Sequence, residues 1–275
     1  MARLSVIQLH SLPDVTRNLQ RIRYWLTQLS PAEQHIVLLP ECCLYFGGKD
    51  REQLALAKAS QSLLLNYLAE LAGEFNITLV AGSIPILTEK GDKFYNTSCV
   101  FSSQGRLLAS YQKIHLFDVQ VEDNEKNYCE SKYTQAGNNI VVVDTIIAKI
   151  GLTVCYDLRF PELYRTLSQQ GADIITVPSA FTKVTGKAHW LPLLQARAIE
   201  NQVYIMAAGQ EGEHQNGRET WGHSVIISPW GEVLACQAQG EGIASAIFDT
   251  NKIATARASI PVQSHNKFNI EFKGE

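Results

Sequence analysis

Gly151-Leu-Thr-Val-Cys155-Tyr-Asp-Leu-Arg159-Phe-Pro161-Glu162 begins as an apolar, β-branched run, stops at a cysteine and reaches a helix start at Pro161. A strand that ends in a sharp turn holds a sulfur in place and exposes it to attack a substrate. The N–H groups entering the next helix lack intrahelical partners and can hold a developing negative charge. Two other stretches offer the sulfur its helpers. Leu39-Pro40-Glu41 closes a buried strand expected from His35 onward, and Pro40, lacking an N–H, suits the strand's exit. Tyr111-Gln-Lys113-Ile-His115-Leu-Phe117 ends another strand. A carboxylate, an ammonium and a thiol, each at or near a strand end, point to amide chemistry. Glu41, partly desolvated, would serve as general base. Lys113 and the Tyr156 N–H would stabilise an oxyanion. A cysteine–histidine arrangement is the other common way to activate a thiol, and seven histidines are available. The local signatures of the well-known cysteine–histidine proteases are absent.

Working outward, residues 4–9 read as a strand. Val15, Leu19, Ile22, Leu26 and Leu29 form an amphipathic helix capped by Asp14. A long helix over 52–75 places Leu64, Leu68, Leu71 and Phe75 on one face. Strands are expected at 77–84, 96–101 and 106–115, the last two as a hairpin about Gln104-Gly105. Residues 118–139 are polar and irregular, and a loop of that length is usually functional. Strands follow at 140–145, 149–154, 172–177, 203–208, 223–228, 232–236 and 243–248. Helices are expected from Pro161 to Gln169, stopped by Gly171, and over 187–200. The mixture of β-α-β units and hairpins predicts mixed sheets covered by helices: about a dozen strands and four long helices, arranged as two stacked sheets between helix layers.

The chain has 275 residues, 45% hydrophobic and 19% charged, with net charge -3. That size allows a substantial core in one α/β domain. No clustered Lys and Arg mark a nucleic-acid surface. No apolar run approaches a membrane span, and the N-terminal stretch lacks the pattern of a signal peptide. A cytoplasmic location is therefore expected. Cys42, Cys43, Cys99, Cys129, Cys155 and Cys236 show neither C-x-x-C nor zinc spacing, so free thiols are expected.

Taken singly, each residue has a plainer reading. Cys155 would be a core thiol, Glu41 a cap and Lys113 a solvated charge. Arg159 could pair with Asp157 or Glu162, Phe181 could be core, and Thr185 could cap a helix starting near Gly186. His214 and Arg218 could be loop charges. Together, the three patches resemble the nitrilase superfamily of carbon–nitrogen hydrolases. Leu-Pro-Glu41, Lys113-x-His-Leu-Phe117 and Cys155-Tyr-Asp-x-Arg-Phe-Pro-Glu162 match its motifs in order, along nearly the whole chain. The resemblance implies a four-layer α-β-β-α sandwich as a single domain over 1–275. Its catalytic core would span about 3–250, and the tail of about 251–275 would be an interface arm. It implies a homodimer or higher homo-oligomer, a small-molecule amide substrate, and no cofactor, metal, nucleic-acid or membrane partner.

The same resemblance implies that Cys155 forms a thioester, that Glu41 shuttles protons and that Lys113 stabilises tetrahedral intermediates. Glu130, in Glu130-Ser-Lys-Tyr-Thr134-Gln-Ala-Gly137, would position substrate and orient Lys113. Cys129, directly before it, departs from the expected pattern. Ser179-Ala-Phe181-Thr-x-x-Thr185-Gly-x-Ala-His189-Trp190 and Gly212-x-His214-x-x-x-Arg218-x-x-x-Gly222-His223-Ser224 are most similar to the Nit branch. Within it, they resemble the deaminated-glutathione amidases more than the ω-amidases. Arg159, Phe181 and Thr185 would then bind a 2-oxo acid, and His214 and Arg218 would meet a far carboxylate. An ω-amidase, another small-amide hydrolase, an acyltransferase, a true nitrilase and an inactive scaffold are the other readings.

Overall fold

The computed structural model describes residues 2–123 and 127–273. In chain order the elements are β1 (Ala2–Gln8), α1 (Val15–Thr27), β2 (Gln34–Leu38), α2 (Asp50–Glu74), β3 (Thr78–Val80), β4 (Ile84–Leu87), β5 (Phe94–Phe101), β6 (Leu107–Gln112), β7 (Asp118–Gln120), β8 (Asn127–Cys129), β9 (Val142–Asp144) and β10 (Lys149–Leu152). They continue with α3 (Pro161–Gln169), β11 (Ile174–Ser179), α4 (Lys183–Asn201), β12 (Tyr204–Gly209), β13 (Glu211–Glu213), β14 (Glu219–Trp221), β15 (Ser224–Ile227), β16 (Val233–Gln237), β17 (Gly242–Ile247), α5 (Thr250–Ser259) and α6 (Val262–His265).

One sheet runs β17-β1-β2-β3-β5-β4, with β6 paired to β5; the other runs β16-β15-β12-β11-β10-β9. The strands β1, β2 and β3 are parallel, as are β10, β11 and β12. Period-2 alternation in β1 and β2 sends Leu4, Val6, Ile36 and Leu38 into the core that includes the second sheet. It sends Ile7, Val37 and Leu39 toward Ile22 and Leu26 of α1 and Leu64, Leu68 and Leu71 of α2. The helices α3 and α4 contribute Leu163, Tyr164, Trp190 and Leu194 to the core of the second sheet. The result is the expected α-β-β-α order. Among the described residues, no helix is long and apolar enough to cross a membrane.

Three expectations change. The run 77–84 is two strands, because the chain turns at Gly82 (φ +52), where a Cβ would lie 1.9 Å from Pro40 O. The polar stretch 118–139 contains the β7–β8 hairpin and a 3-10 turn at Glu130–Lys132; residues 124–126 lie outside the described residues. The helix expected at 187–200 begins at Lys183, and its cap is Thr182 rather than Thr185, with the Thr182 hydroxyl accepting from Thr185 N. The tail begins with α5, which packs on the core. In α5, Ile253 and Ala256 are buried, while Gln202 Nε2 donates to Ala256 O and Ile260 O. Residues 266–273 have no regular secondary structure and are largely exposed; 274 and 275 lie outside the described residues.

A polar ladder ties three strands of the first sheet together. His35 Nε2 lies 2.7 Å from Ser5 Oγ, which lies 2.7 Å from Ser245 Oγ. Burial first, and the Arg3 charge second, lower the His35 pKa to about 4. In the unfolded chain it titrates near 6.5. The native state therefore binds fewer protons between these values. His35's contribution is complete above about pH 6.5 and is lost as pH falls toward 4, by up to about 3 kcal/mol. Urea unfolding at pH 7 and pH 5 should show this loss, and His35→Asn should reduce the slope. An unchanged slope in that variant would remove His35 from the account.

Candidate active site

The chemistry-bearing residues stand just past the carboxyl ends of strands from both sheets. Glu41 follows β2, Lys113 follows β6, Cys155 follows β10 and Ala180 follows β11. This is where open α/β sheets leave room for a ligand. Cys155 adopts φ +49, a region L residues avoid. The turn that enforces it is a five-residue 3-10 helix, Cys155–Arg159, with α3 starting only at Pro161. The N–H nearest the sulfur in sequence is thus Tyr156 in the 3-10 turn, not a donor of α3. Asp157 locks the turn. It is fully buried and accepts from Val154 N (2.8 Å), Tyr111 Oη (2.8 Å) and His115 N (3.1 Å), while His115 Nδ1 lies 2.7 Å away. One carboxylate so fixes both the cysteine turn and the backbone that follows Lys113. With its oxygens engaged there, Asp157 is not the partner of Arg159.

Lys113 is 2% exposed. Its Nζ donates to Glu41 Oε1 at 2.9 Å and to Glu130 Oε1 and Oε2 at 3.1 and 2.9 Å. Asn96 Nδ2 bridges the same two carboxylates, at 2.9 Å from Glu41 and 3.3 Å from Glu130. Ala180 N donates to Glu41 Oε2, and Phe117 N donates to Glu130 Oε2. Burial alone would lower the lysine pKa. Glu130 and then Glu41 outweigh it and raise the ammonium well above its usual range, so Lys113 stays charged. Burial, then the Glu41 carboxylate, push the Cys155 thiol well up, and Lys113 only partly opposes them. The resting sulfur is a neutral thiol with a carboxylate beside it and a cation held close.

A cleft open to solvent lies above these groups. Glu41, Lys113, Glu130, Cys155, Tyr156, Phe181 and Thr185 all line it, so seven of the eight residues singled out in the sequence converge. Arg159 does not line it. Its guanidinium packs over the Phe181 ring, 5.1 Å from the centroid, and Nη1 lies 3.2 Å from His189 Nδ1. Arg218, by contrast, does line the cleft, whereas His214 is buried behind it. Cys129 is exposed on the cleft wall. Cys42 is a third thiol there, buried, at φ +54, with its pKa pushed up to about 12 mainly by burial. Sequence reasoning missed Asn96 and the anchoring role of Asp157. The available signal for Asn96 was an amide side chain within an otherwise core-facing strand. Gly137 of the Glu130 motif has a steric reason: a Cβ would stand 2.2 Å from Gln112 O, where Gly137 N donates to Lys113 O.

Fold and site together define a hydrolase with a cysteine, a glutamate and a lysine at the ends of paired sheets. The family profile described as carbon-nitrogen hydrolase matches residues 3–258, and the chain belongs to that family. It is an enzyme that hydrolyses carbon–nitrogen bonds. Among its relatives is "Deaminated glutathione amidase" of Yersinia enterocolitica, 39% identical over 97% of this chain and 93% of that one. "Omega-amidase NIT3" of Saccharomyces cerevisiae is 35% identical over 98% of this chain and 94% of that one. The crystal structure of Saccharomyces cerevisiae Nit3, described as a member of branch 10 of the nitrilase superfamily, superposes with a TM-score of 0.87 at 33% identity, covering 97% of each chain.

Proposed function

We propose that the enzyme hydrolyses the amide of deaminated glutathione to 2-oxoglutarate and Cys-Gly through a thioester on Cys155. The observation that carries the chemistry is the buried Lys113 held between Glu41 and Glu130, beside a strained cysteine. Glu41 takes the thiol proton as the sulfur attacks the carbonyl, so the thiolate forms only as it is consumed. The Lys113 ammonium and the Tyr156 N–H receive the oxyanion, already oriented before the reaction. Glu41 returns its proton to the departing amine, then deprotonates the water that cleaves the thioester. Glu130 and Asn96 are positioning residues: they hold Lys113 and Glu41 in register without needing to touch substrate. Phe181 and Thr185 form the wall beside the acyl group. Arg159 would brace Phe181 from behind rather than meet the ligand.

The substrate assignment rests on the relatives at 39% identity over nearly the full chain. Its test is hydrolysis of deaminated glutathione and 2-oxoglutaramate side by side. The reading expects a higher kcat/KM for deaminated glutathione. Preference for the small amide would make this an ω-amidase.

A homo-oligomer is also proposed. Ile199, Trp230, Ile260, Phe268 and Phe272 are large apolar side chains each about half exposed or more. Ile199 adjoins the turn at Gly231, next to Trp230. Residues 266–273 would serve as the interface arm. Six free cysteines fit a cytoplasmic setting.

A further inference from the structure

Cys155 follows a strand of one sheet and Glu41 follows a strand of the other, so the gap between thiol and base depends on how the sheets are fastened at that end. Glu41–Cys43 is a strained exit from β2, with Cys42 at φ +54. Side chains pin its peptide groups one after another. Gln210 Nε2 donates to Glu41 O at 3.0 Å, Cys42 N donates to Ser83 Oγ at 2.9 Å, and Ser11 Oγ donates to Cys43 O at 3.0 Å. Ser11 and Ser83 follow β1 and β3, in the sheet that carries Glu41 itself. Gln210 follows β12 of the other sheet. Of these three pins it is the one that crosses between the layers.

Gln210 is fully buried, and both polar atoms of its amide are engaged. Oε1 accepts from Ser11 N at 2.9 Å, and Nε2 donates to Ser11 Oγ at 2.8 Å as well as to Glu41 O. Its main chain is fixed too. Gln210 N donates to Ser179 O at 2.9 Å, and Gly222 N donates to Gln210 O at 3.0 Å. Ser179 directly precedes Ala180, whose N–H donates to Glu41 Oε2 at 2.9 Å. The second sheet therefore grips Glu41 twice, by its carboxylate through Ala180 and by its main-chain carbonyl through Gln210. Cys155, Ala180 and Gln210 follow β10, β11 and β12, which are adjacent parallel strands. The grip and the nucleophile thus share one frame.

We infer that Gln210 is a positioning residue: it sets where the Glu41 carboxylate stands relative to the Cys155 sulfur, across the interface between the sheets. It does not line the cleft, so it acts on proton transfer and not on substrate binding. Proton transfer demands close placement of the base, and about 1 Å of misplacement costs on the order of 10²-fold in rate. A neutral amide holds the carbonyl without adding charge beside the base. The inference rests on the thioester chemistry proposed for this same site.

A second buried glutamine provides the control. Gln8 of β1 also joins the sheets: its Oε1 accepts from Ser224 N and Ser224 Oγ of β15, both at 2.8 Å, and its Nε2 donates to Gly240 O. None of these bonds touches the Glu41 turn. Gln210→Met and Gln8→Met each remove one buried amide at similar volume, so a merely structural role predicts like effects from both. The test compares them on the full-length chain by thermal melts and by hydrolysis of deaminated glutathione and 2-oxoglutaramate. Gln210→Met is expected to lower kcat by about 10- to 100-fold, by the same factor on both amides. KM should stay within about threefold, because Glu41 serves both acylation and thioester hydrolysis and both steps slow together. Gln8→Met is expected to lower the melting temperature comparably and to keep kcat within about threefold of wild type. If Gln210→Met does not fold, Gln210→Asn takes its place with the same expectation, since its amide is one methylene short of the Glu41 carbonyl. Equal kinetic losses in the Gln210 and Gln8 variants, an undiminished kcat in a folded Gln210 variant, or a loss confined to KM would overturn the inference and leave the amidase reading standing. An undiminished kcat in Glu41→Gln would overturn the base assigned to Glu41, and this inference with it. A wild type that acts on 2-oxoglutaramate alone would change the substrate reading only, and the kcat ratio on that amide would decide the inference.

Discussion

Cys155→Ala should reduce turnover by at least about 10⁴-fold, because the missing atom is the one that forms the acyl intermediate. The fold should survive. The residue is buried at φ +49 in a turn held by Asp157, whose bonds to Val154, Tyr111 and His115 do not involve the sulfur. Losing one buried sulfur costs on the order of 1 kcal/mol, so the unfolding transition stays cooperative and shifts by a few degrees. Steady-state hydrolysis and a thermal melt on the same preparation check both halves. Turnover within tenfold of wild type would remove Cys155 from the chemistry. A collapsed melt would show that the sulfur supports the turn, and Cys155→Ser would then be the variant to assay.

Lys113→Met should be the single change most damaging to stability, and it should lower activity as well. It takes the cation from between two carboxylates that sit within hydrogen-bonding reach of the same Asn96 amide. Leaving buried charge uncompensated costs about 3–5 kcal/mol, and one carboxylate must take up a proton to reduce that. The activity loss adds the missing oxyanion donor, typically about 10²–10³-fold in kcat. The two effects separate in the double variant Lys113→Met/Glu130→Gln. Removing the second negative charge should restore most of the stability and none of the turnover. Urea unfolding and hydrolysis assays of the single and double variants measure this. A single variant within 1 kcal/mol of wild type, or a double variant that regains activity, would contradict the role given to Lys113.

Much of this site was legible because its residues carry backbone signals as well as chemistry. Glu41 follows a proline at a strand exit, and Cys155 stands where a β-branched run meets a helix start. Arg159 falls outside the cleft lining for a physical reason. Four residues after the nucleophile would face the cleft on a helix, but here the chain runs in a 3-10 turn and the guanidinium turns onto Phe181 and His189. Asp157 and Asn96 were passed over because their value is long-range. Nothing local tells that Asp157 will meet His115, 42 residues earlier, or that Asn96 will meet Glu41, 55 residues earlier. The β13–β14 hairpin was unreadable for a different cause: its two strands are three residues each and carry little alternation. Only the tertiary packing of His214 against His10 and Phe46 gives that segment a shape. The layered fold was more forgiving, since Leu64, Leu68 and Leu71 on α2 and the apolar runs of β2 and β11 announce burial without any partner in view.

The most direct measurement is mass spectrometry of the intact protein, quenched in acid during turnover of deaminated glutathione and then digested. A 2-oxoglutaryl adduct is expected on the peptide containing Cys155 and absent from Cys155→Ala. Sustained turnover in Cys155→Ala, or an adduct found on Cys42 or Cys129 in place of Cys155, would contradict it.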